Sequence, residues 1–541
     1  MVKFGIGQPV RRVEDRRFLT GRGRYVDDIT LPKQCHGVLV LSPHAHARLR
    51  RVDIARARAA AGVLCVLTGA DAVAEKLGGF TSFLMPEDLG APAGFRTFWP
   101  PLAADKVRCV GDRIAFVVAE TPEAARDAAE LVEIEYEPLP AVVHLDDAAA
   151  PTAPKVWDGC PDGNVAFGIM FGSKEATDAA FAKAPHVVAL RLENNRLSAN
   201  PMEPRGALGE WDAAEDTYTL YTSTQNPHGV RQEVAHVLGL PETRIRVIAP
   251  DVGGGFGLKA EAFPEEVLVL WASRHCGRPV KWVATRTESL MSDVHGRDQV
   301  ISAEMALDDD GRILGIRAQA RHAIGAYFIG AGLVPPVFAM RFIPGPYDVQ
   351  AVHVAAQGLF TNTAPLGPYR GAGRPEAVYV TERLLDRAAR VIGIDPAEIR
   401  RRNLIPPEKL PYATPTFYSY DSGEFARIMQ RCLDLADWQG YAPRLAASKG
   451  RGRLRGRAVT YYIEQGGVFN ERMELRFDPS GMVTIVAGTF SHGQGHATTF
   501  AQMVSEWLGV PFEAIRFVQG DTDKVPFGRG TYAARSSMLG G

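Results

Sequence analysis

"LGLPETRIRVIAPD" at residues 238–251 and "LGVPFEAIRFVQGD" at residues 508–521 are two copies of one pattern. Leu, Gly, Pro, Ile, Arg and Asp recur at matching places, and each copy follows an amphipathic segment, "VRQEVAHV" or "FAQMVSEW". Self-similarity of this kind indicates duplicated supersecondary units. The repeat leaves two readings open: two copies with only structural meaning, or two related domains that clamp one large ligand.

A glycine loop, "DVGGGFGLKAE" at residues 251–261, directly follows the first copy. It lies between a predicted strand and a helix predicted from about 262 to 276, so its N–H groups could face an anion near a helix N-terminus. Leu258 breaks the dinucleotide fingerprint, and the sequence has no Walker A motif. A glycine-rich turn alone is more often structural than ligand-binding.

Composition is that of an ordinary globular protein with several domains. The 541 residues are 46% hydrophobic and 23% charged with a net charge of −1, which argues against a nucleic-acid binder. No apolar run reaches transmembrane length and the N-terminus lacks a signal-peptide pattern, so we expect a cytoplasmic protein. Six scattered cysteines without a CxxC pair predict reduced thiols: Cys35, Cys65, Cys109, Cys160, Cys276 and Cys432.

Three regions are predicted in an α/β (α+β) chain, at residues 1–150, 165–405 and 415–541. In the first, "DRIAFVVAE" predicts a buried strand and "TPEAARDAAELV" a helix with Thr121 as its N-cap. The Ala-, Pro- and Asp-rich stretch 145–165 is interpreted as a linker.

Histidine pairs suggest a competing chemistry. His44 and His46 in "SPHAHARL" share one face of a predicted strand, as in some metal hydrolases, although a structural pair is the commoner meaning. His492 and His496 in "SHGQGHA" are separated by two glycines, which favours a turn over a metal-binding helix face. No G-x-S-x-G nucleophile elbow is present. A mononuclear hydrolase using His44 and His46 therefore stays an alternative.

Taken together, the motifs resemble one family. In order along the chain they are "SPHAHARL", "STQNPHGVRQ", "DVGGGFGLK", "PYRGAGRPEA", "DPAEIRRRNLI", "SHGQGHATTFAQ" and "GDTDKVPFGRGTYAARSS". The series resembles the molybdenum-binding large subunit of the xanthine oxidase family, which includes aldehyde oxidoreductases, isoquinoline-type hydroxylases and aerobic carbon monoxide dehydrogenase. The resemblance implies a hammerhead-type α/β domain at 1–150. It also implies duplicated molybdopterin-binding domains at 165–405 and 415–541, the second incomplete, with the cofactor buried between them.

The same resemblance implies chemistry and partners. Enzymes of this family hydroxylate an aldehyde or N-heteroaromatic carbon with oxygen from water. The implied cofactor is molybdenum–molybdopterin, with its cytosine dinucleotide form left open, and the pterin dithiolene rather than a side chain holds the metal. Iron–sulfur (2Fe–2S) and FAD groups are expected on a small and a medium partner subunit. The expected substrate is a small molecule, with no nucleic acid or membrane involved.

The resemblance also assigns residue roles. Gln225 matches a glutamine that donates to an oxo ligand on molybdenum, and Arg370 matches an active-site arginine that steadies negative charge on substrate oxygen. Three turns are implied to contact the metal's oxo ligand, the pterin and the cofactor's phosphate and metal end, respectively. Their residues are Gly255, Phe256 and Gly257; Gly493, Gln494 and Gly495; and Ala534, Arg535, Ser536 and Ser537.

Three departures from the family pattern narrow the expected substrate and activity. Gly371 stands where copper-containing carbon monoxide dehydrogenases carry a cysteine, and Ala260 where purine-oxidising members carry a glutamate. The family's general-base glutamate, far downstream of "YAARSS", has no counterpart in the sequence. We therefore expect the isolated chain to lack hydroxylase activity, either as a truncated non-catalytic chain or because a separate polypeptide completes it.

Overall fold

Alternating and apolar runs form strands, and capped amphipathic runs form helices, in the computed structural model, which describes residues 4–541. Within the first region the strands are β1 (Cys35–Leu41), β2 (Ala47–Asp53), β3 (Val63–Thr68), β4 (Lys106–Val107), β5 (Arg113–Ala119) and β6 (Glu133–Pro138). The helices are α1 (Val13–Leu19), α2 (Ala55–Arg58), α3 (Gly69–Ala74), α4 (Pro122–Ala129) and α5 (Leu145–Ala148).

The second region is the largest. Its strands are β7 (Val165–Gly172), β8 (His186–Asn194), β9 (Leu197–Ser198), β10 (Gly206–Asp212), β11 (Thr217–Thr222), β12 (Ile245–Ile248), β13 (Val280–Val283), β14 (His295–Gly296), β15 (Gln299–Leu307), β16 (Ile313–Gly325) and β17 (Val352–Phe360). Its helices are α6 (Lys174–Lys183), α7 (Pro227–Leu238), α8 (Pro264–Cys276), α9 (Arg286–Ser292), α10 (Val334–Arg341), α11 (Arg374–Ile392) and α12 (Pro396–Asn403).

The third region has short strands β18 (Tyr412–Ala413), β19 (Ser419–Tyr420), β20 (Met473–Phe477), β21 (Val483–Ala487) and β22 (Ile515–Val518). Its helices are α13 (Phe425–Leu435), α14 (Tyr441–Lys449), α15 (His496–Leu508) and α16 (Arg535–Gly540). Three-residue 3₁₀ turns precede β12 and β22, at Glu242–Arg244 and Phe512–Ala514.

One seven-stranded sheet crosses the predicted boundary between the first two regions. Its order is β12-β11-β10-β13-β1-β5-β3, and β1 pairs in parallel with β13 through Cys35 and Val280. All seven residues of β5 are buried in it, as the apolar run predicts. The five-stranded sheet β7-β17-β16-β15-β8 lies entirely within the second region. The mixed α/β class is thus confirmed, while the first two regions share a sheet.

The two copies of the repeat fold alike. Each consists of an antiparallel strand pair, a turn, a helix that ends on a left-handed glycine, a 3₁₀ turn and a strand that pairs in parallel with the middle strand. Gly239 ends α7 with φ +66° and Gly509 ends α15 with φ +68°, a conformation that favours glycine. The repeated Leu-Gly is therefore a helix C-cap followed by the next strand.

The copies also touch each other. Ala249 N–H donates to Gly520 O at 2.7 Å, and Arg246 donates to both carboxylate oxygens of Asp521 at 3.0 and 2.7 Å. Asp521 is 5% exposed. These contacts hold the ends of β12 and β22 side by side, so the turns of the two copies share one neighbourhood.

Predicted helix boundaries are confirmed, and the segment interpreted as a linker is packed rather than extended into solvent. Thr121 caps α4 by accepting from Ala124 N–H, and Pro264 and Gly277 bound α8 as expected. Residues 145–165 instead pack against the protein: Trp157 Nε1 donates to Ala326 O at 2.7 Å, and Val156 is fully buried. Composition resembling a linker does not prevent a segment from packing when its few large side chains find buried partners.

Among residues 4–541, no helix combines the length and apolar character that a membrane crossing needs.

Candidate functional site

The glycine loop, residues 251–261, runs from the end of β12 to the start of α8. Phe256 has φ +56°, between Gly254 at +97° and Gly257 at +99°. Residues with a side chain rarely adopt left-handed backbone, so surrounding contacts must hold Phe256 in place. Its ring is 46% exposed, and its N–H has no acceptor within residues 4–541. The loop thus offers an aromatic ring and an uncommitted backbone donor together.

Gln225 connects this loop to the third region. Its buried side-chain Oε1 accepts from Gly257 N–H at 2.9 Å, and its Nε2 donates to Thr531 O at 2.9 Å. A Cβ at Gly255 would lie 2.2 Å from Gln225 Oε1, so the loop can pass the amide only as glycine. One Nε2 hydrogen is left for a further acceptor.

A buried lysine, which the sequence analysis did not single out, supports the loop from behind. Lys259 Nζ donates to Glu203 O at 2.8 Å and to Ser223 Oγ at 2.7 Å, and Glu203 Oε2 accepts from Gly253 N–H at 2.7 Å. Burial lowers the pKa of Lys259 to about 8, although Glu203 acts in the opposite direction. Its position within "GLKAE" is visible in the sequence, but its partners lie far away along the chain.

Two buried carboxyl groups adjoin the same network. Burial raises the pKa of both Glu261 and Glu266 to about 7. Glu266 accepts hydrogen bonds from the Thr222 hydroxyl and from Phe263 N–H. A cavity of about 10 Å³, room for one water molecule, lies among these side chains. The loop is therefore backed by polar groups in a nearly dry interior.

The "PYRGAGR" turn packs directly on the glycine loop. Arg370 N–H donates to Phe256 O at 2.9 Å, and a Cβ at Gly257 would lie 2.6 Å from Pro368 O. The Arg370 side chain is exposed. Arg297, another residue without a sequence signal, donates to Arg370 O at 2.7 Å and to the Glu376 carboxylate at 3.1 Å. The backbone around Arg370 is thus fixed while its guanidinium stays accessible.

The "SHGQG" turn precedes α15. Gly493 has φ +127° and a Cβ there would meet nothing within 4 Å, whereas Gly495 lies against Arg12 of the N-terminal segment. Within residues 4–541, the exposed Gln494 bonds only His492: its Nε2 lies 2.8 Å from His492 Nε2, and its Oε1 accepts from the His492 N–H at 2.8 Å. Burial, then His496 and Lys259, lower the pKa of His492 to about 4, which places this turn within electrostatic reach of the glycine loop.

The "YAARSS" turn contains Ala533 and Ala534 at φ +48° and +51°. Arg535, expected at the cofactor, has a fully buried side chain that pairs with Glu471 at 2.6 Å and donates to Gly530 O at 2.7 Å. Its guanidinium therefore stabilises the turn from inside, and a ligand contact of Arg535 is confined to its backbone.

Both serines of this turn were expected at the cofactor as well. Ser536 is buried and bonds Thr489, whose hydroxyl also lies 2.6 Å from that of Thr531. Ser537 is exposed. Gln225, Thr531 and Thr489 thus form a continuous hydrogen-bonded path from the glycine loop to the end of β21.

The His44/His46 alternative lacks a ligand set. His46 is buried with Nδ1 2.8 Å from Pro140 O, and His44 packs on the Tyr136 ring at 4.5 Å between centroids. Within the described residues, 4–541, no group of three or more His, Cys, Asp or Glu side chains could hold a metal ion.

Known proteins match along the whole chain. Family models match residues 20–140 ("Aldehyde oxidase and xanthine dehydrogenase, a/b hammerhead domain") and residues 159–404 and 431–541 ("Molybdopterin cofactor-binding domain"). The large subunit of nicotine 6-hydroxylase from Paenarthrobacter nicotinovorans is 36% identical, over 99% of this chain and 66% of that protein. The carbon monoxide dehydrogenase large chain of Afipia carboxidovorans is 36% identical, over 99% and 69%.

A solved structure agrees. A chain of quinoline 2-oxidoreductase from Pseudomonas putida 86 superposes with a TM-score of 0.92 at 35% identity, over 99% of this chain and 68% of that one. The chain thus spans about two thirds of the length of these relatives. It belongs to the family of molybdenum-binding large subunits of the xanthine oxidase and carbon monoxide dehydrogenase type.

Proposed function

We propose that this chain is the cofactor-binding part of an oxidoreductase that hydroxylates an aldehyde or N-heteroaromatic carbon with oxygen from water. Electrons would pass to iron–sulfur and FAD groups on partner subunits. The large-subunit names of the relatives support a multi-subunit enzyme. The observation that carries the proposal is that two turns bond to the glycine loop: the Arg370 turn directly, through Phe256 O, and the "YAARSS" turn through Gln225, which contacts the preceding residue Thr531.

The residues present fit a large, polar, anionic cofactor. Left-handed backbone recurs in all four turns, at Phe256, Ala372, Gly493 and Ala534, where it turns N–H groups away from regular hydrogen bonding. Phe256 N–H has no acceptor within residues 4–541, and open space surrounds the position of a Cβ at Gly493. Such donors suit the oxo, pterin and phosphate groups of molybdopterin.

Backbone and side-chain groups of these turns would have different roles toward the cofactor. Phe256 N–H and the free Nε2 hydrogen of Gln225 would donate to the metal's oxygen ligand, and the "SHGQG" backbone together with the exposed Gln494 side chain would hold the pterin. When bound, the cofactor supplies the two-electron redox centre. The accessible guanidinium of Arg370 would orient the substrate and stabilise negative charge that develops on its oxygen. Arg297 and Lys259 act indirectly, by fixing the two turns that carry these groups.

The turn at Arg370 favours an organic substrate over carbon monoxide. Gly371 has φ +89°, and a Cβ there would lie 2.5 Å from Pro375 Cδ. A cysteine, which copper-containing members of the family carry at this place, would be strained here. Two relatives are named for the oxidation of nitrogen-containing organic molecules, nicotine and quinoline. We therefore favour an N-heteroaromatic compound or an aldehyde.

Molybdenum and pterin retention test the proposal. The chain, produced with its partner subunits in a host that makes molybdopterin, should carry about one molybdenum and one pterin per chain. Gln494→Ala should lower both roughly tenfold, since the turn would lose a ligand contact. Gln430→Ala, which alters an exposed glutamine on α13, is the matched control and should leave both unchanged. Full cofactor content in Gln494→Ala would remove this turn from the site.

Product analysis with the complex tests the reaction. The complex, including the separate polypeptide expected to supply the general-base glutamate, should convert quinoline or benzaldehyde in ¹⁸O-labelled water to a hydroxylated or acid product that carries the label. Carbon monoxide should give no turnover. Oxidation of carbon monoxide, or label entering from dioxygen, would contradict the proposed reaction class.

A further inference from the structure

Three cysteines, scattered in sequence, meet where the first and second regions share the seven-stranded sheet. Cys35 begins β1, Cys65 lies on β3 and Cys276 ends α8. Helix α8 packs on β3, and the Cys65 and Cys276 sulfurs are 3.2 Å apart. The Cys35 thiol donates to Pro279 O at 3.0 Å. The sheet pairing of β1 with β13 thus brings together thiols that no sequence spacing connected.

The three thiols differ in access. Cys35 is 0% exposed, whereas Cys65 and Cys276 are both partly exposed. The sulfurs of Cys65 and Cys276 need to approach by roughly 1 Å to reach bonding distance. Within residues 4–541 these side chains form no metal-holding group, so oxidation is the chemistry that their contact favours.

Hydrogen bonds from the neighbouring thiols, with nearby positive charge, make Cys276 the nucleophile of the pair. The thiols of Cys35 and Cys65 lie within hydrogen-bonding reach of its sulfur, and His275 and Arg278 add positive charge nearby. The hydrogen bonds from Cys35 and Cys65, and then the nearby charges, lower the pKa of the Cys276 thiol, whereas the hydrogen bond to Cys276 and burial raise the pKa of the Cys65 thiol. A thiolate is the form that attacks a peroxide, and a neighbouring thiol then resolves the product.

We propose that Cys65 and Cys276 form a redox-sensitive dithiol that hydrogen peroxide or a small organic hydroperoxide oxidises to an intrachain disulfide. The Cys276 thiolate attacks the peroxide, the O–O bond breaks, and a sulfenic acid and, after protonation, water (or an alcohol) result. The Cys65 sulfur then attacks the sulfenic sulfur, the S–S bond forms, the S–O bond breaks and the Cys65 proton leaves in a second water. A dithiol reductant reverses the change.

The disulfide would join β3 to the far end of α8, the helix whose first residue, Pro264, follows the glycine loop. Oxidation would therefore tie the first region to the element that begins beside the candidate site. Cys432, exposed on α13 of the third region and outside this group of three cysteines, serves as an internal control for the oxidation.

Peptide mapping of the full chain tests this inference. After peroxide treatment, alkylation and non-reducing trypsin digestion, peptides 59–76 and 275–281 should appear as one species, two hydrogens lighter than their sum. Dithiothreitol should abolish it. Cys65→Ser should eliminate the linked species, and Cys432→Ser should leave it unchanged.

The wild-type digest decides the matter even if a variant folds poorly. Absence of the linked species at peroxide doses that fully oxidise Cys432 would overturn the proposal. A species that instead joins peptides 34–48 and 275–281 would assign the bond to Cys35 and contradict the pairing. The melting temperature of oxidised wild type should exceed that of the reduced form, a rise that Cys65→Ser lacks.

Discussion

The two copies of the repeat share an element order and differ in what surrounds them. In the first, β10, β11 and β12 lie within a seven-stranded sheet, α8 packs on them, and the turn residue Gln225 is buried. In the second, a three-stranded sheet exposes Arg476 and Arg516 beside a cleft of about 560 Å³, and its turn exposes Gln494. Duplication kept the topology, while burial made one copy a scaffold and left the other's turn accessible to a ligand.

Replacing Gln225 and Gln494, the turn glutamines of the two copies, should give the largest difference in stability between the copies. Gln225→Ala leaves Gly257 N–H and Thr531 O without partners in a buried place, and we expect a loss of about 4 kcal/mol in the free energy of unfolding. Gln494→Ala removes contacts only to His492 at the surface and should cost less than about 0.5 kcal/mol. Urea denaturation measures both. Equal losses would mean that the second turn is structural too.

A buried carboxyl beside the first copy should give a pH-dependent contrast of intermediate size. Glu266 has a folded-state pKa of about 7 against an ordinary 4.5, so the unfolded chain loses this proton first as the pH rises. The stabilisation that depends on this proton is therefore fully present below pH 4.5 and decreases between pH 4.5 and 7. Above that range the free energy of unfolding is lower by about 3 kcal/mol.

Glu266→Gln should remove that slope and be the more stable protein at pH 8. Glu474→Gln, on the partly exposed β20 strand of the second copy, is the matched control. Denaturation curves for both variants and wild type between pH 4 and 8 make the measurement. A Glu266→Gln curve parallel to wild type would show that this carboxyl is not held protonated.

Corresponding arginines of the two copies should give the smallest contrast. Arg246→Ala removes the two-pronged partner of the buried Asp521 carboxylate and leaves it only the exposed Lys524 and the Asp523 N–H, with an expected loss of about 2 kcal/mol at pH 7. Burial would raise the pKa of Asp521, but the Arg246 and Asp523 hydrogen bonds lower it, so this stabilisation is present above pH 3.8 and disappears as acid protonates the carboxylate.

Arg516, at the same place in the second copy, is exposed and has no ion pair within residues 4–541. Arg516→Ala should therefore change the free energy of unfolding by less than about 0.5 kcal/mol. Denaturation at pH 7 compares the pair. A larger effect of Arg516→Ala would indicate that its sheet face is covered in solution.

Local signals made much of the fold predictable. The cap at Thr121 and the extent of α8 depend on neighbouring residues only, and each lies close to where the sequence predicts it. Pairing of β1 with β13 depends on contacts between distant residues, which no local pattern carries. The shared sheet was missed for that reason, as was the packing of Trp157 in the supposed linker.

The candidate site divides in the same way. Its glycines and Gln225 lie in motifs that can be recognised, so the turns were found. Lys259, Glu203 and Arg297 act through partners about 36 to 79 positions away, and no local pattern distinguishes these three residues. Arg535 is the converse case, because its motif makes it conspicuous while its buried side chain forms an ion pair with Glu471 in the interior.

The shared seven-stranded sheet also has a mechanical meaning. Separating the first region from the second requires breaking the β1–β13 ladder and exposing β5, whose seven residues are all buried. A protease that cuts between positions 145 and 165 would therefore yield two fragments that stay associated under native conditions and separate only in denaturant. The contacts of the shared sheet, rather than the covalent connection through residues 145–165, therefore keep the first region attached to the second.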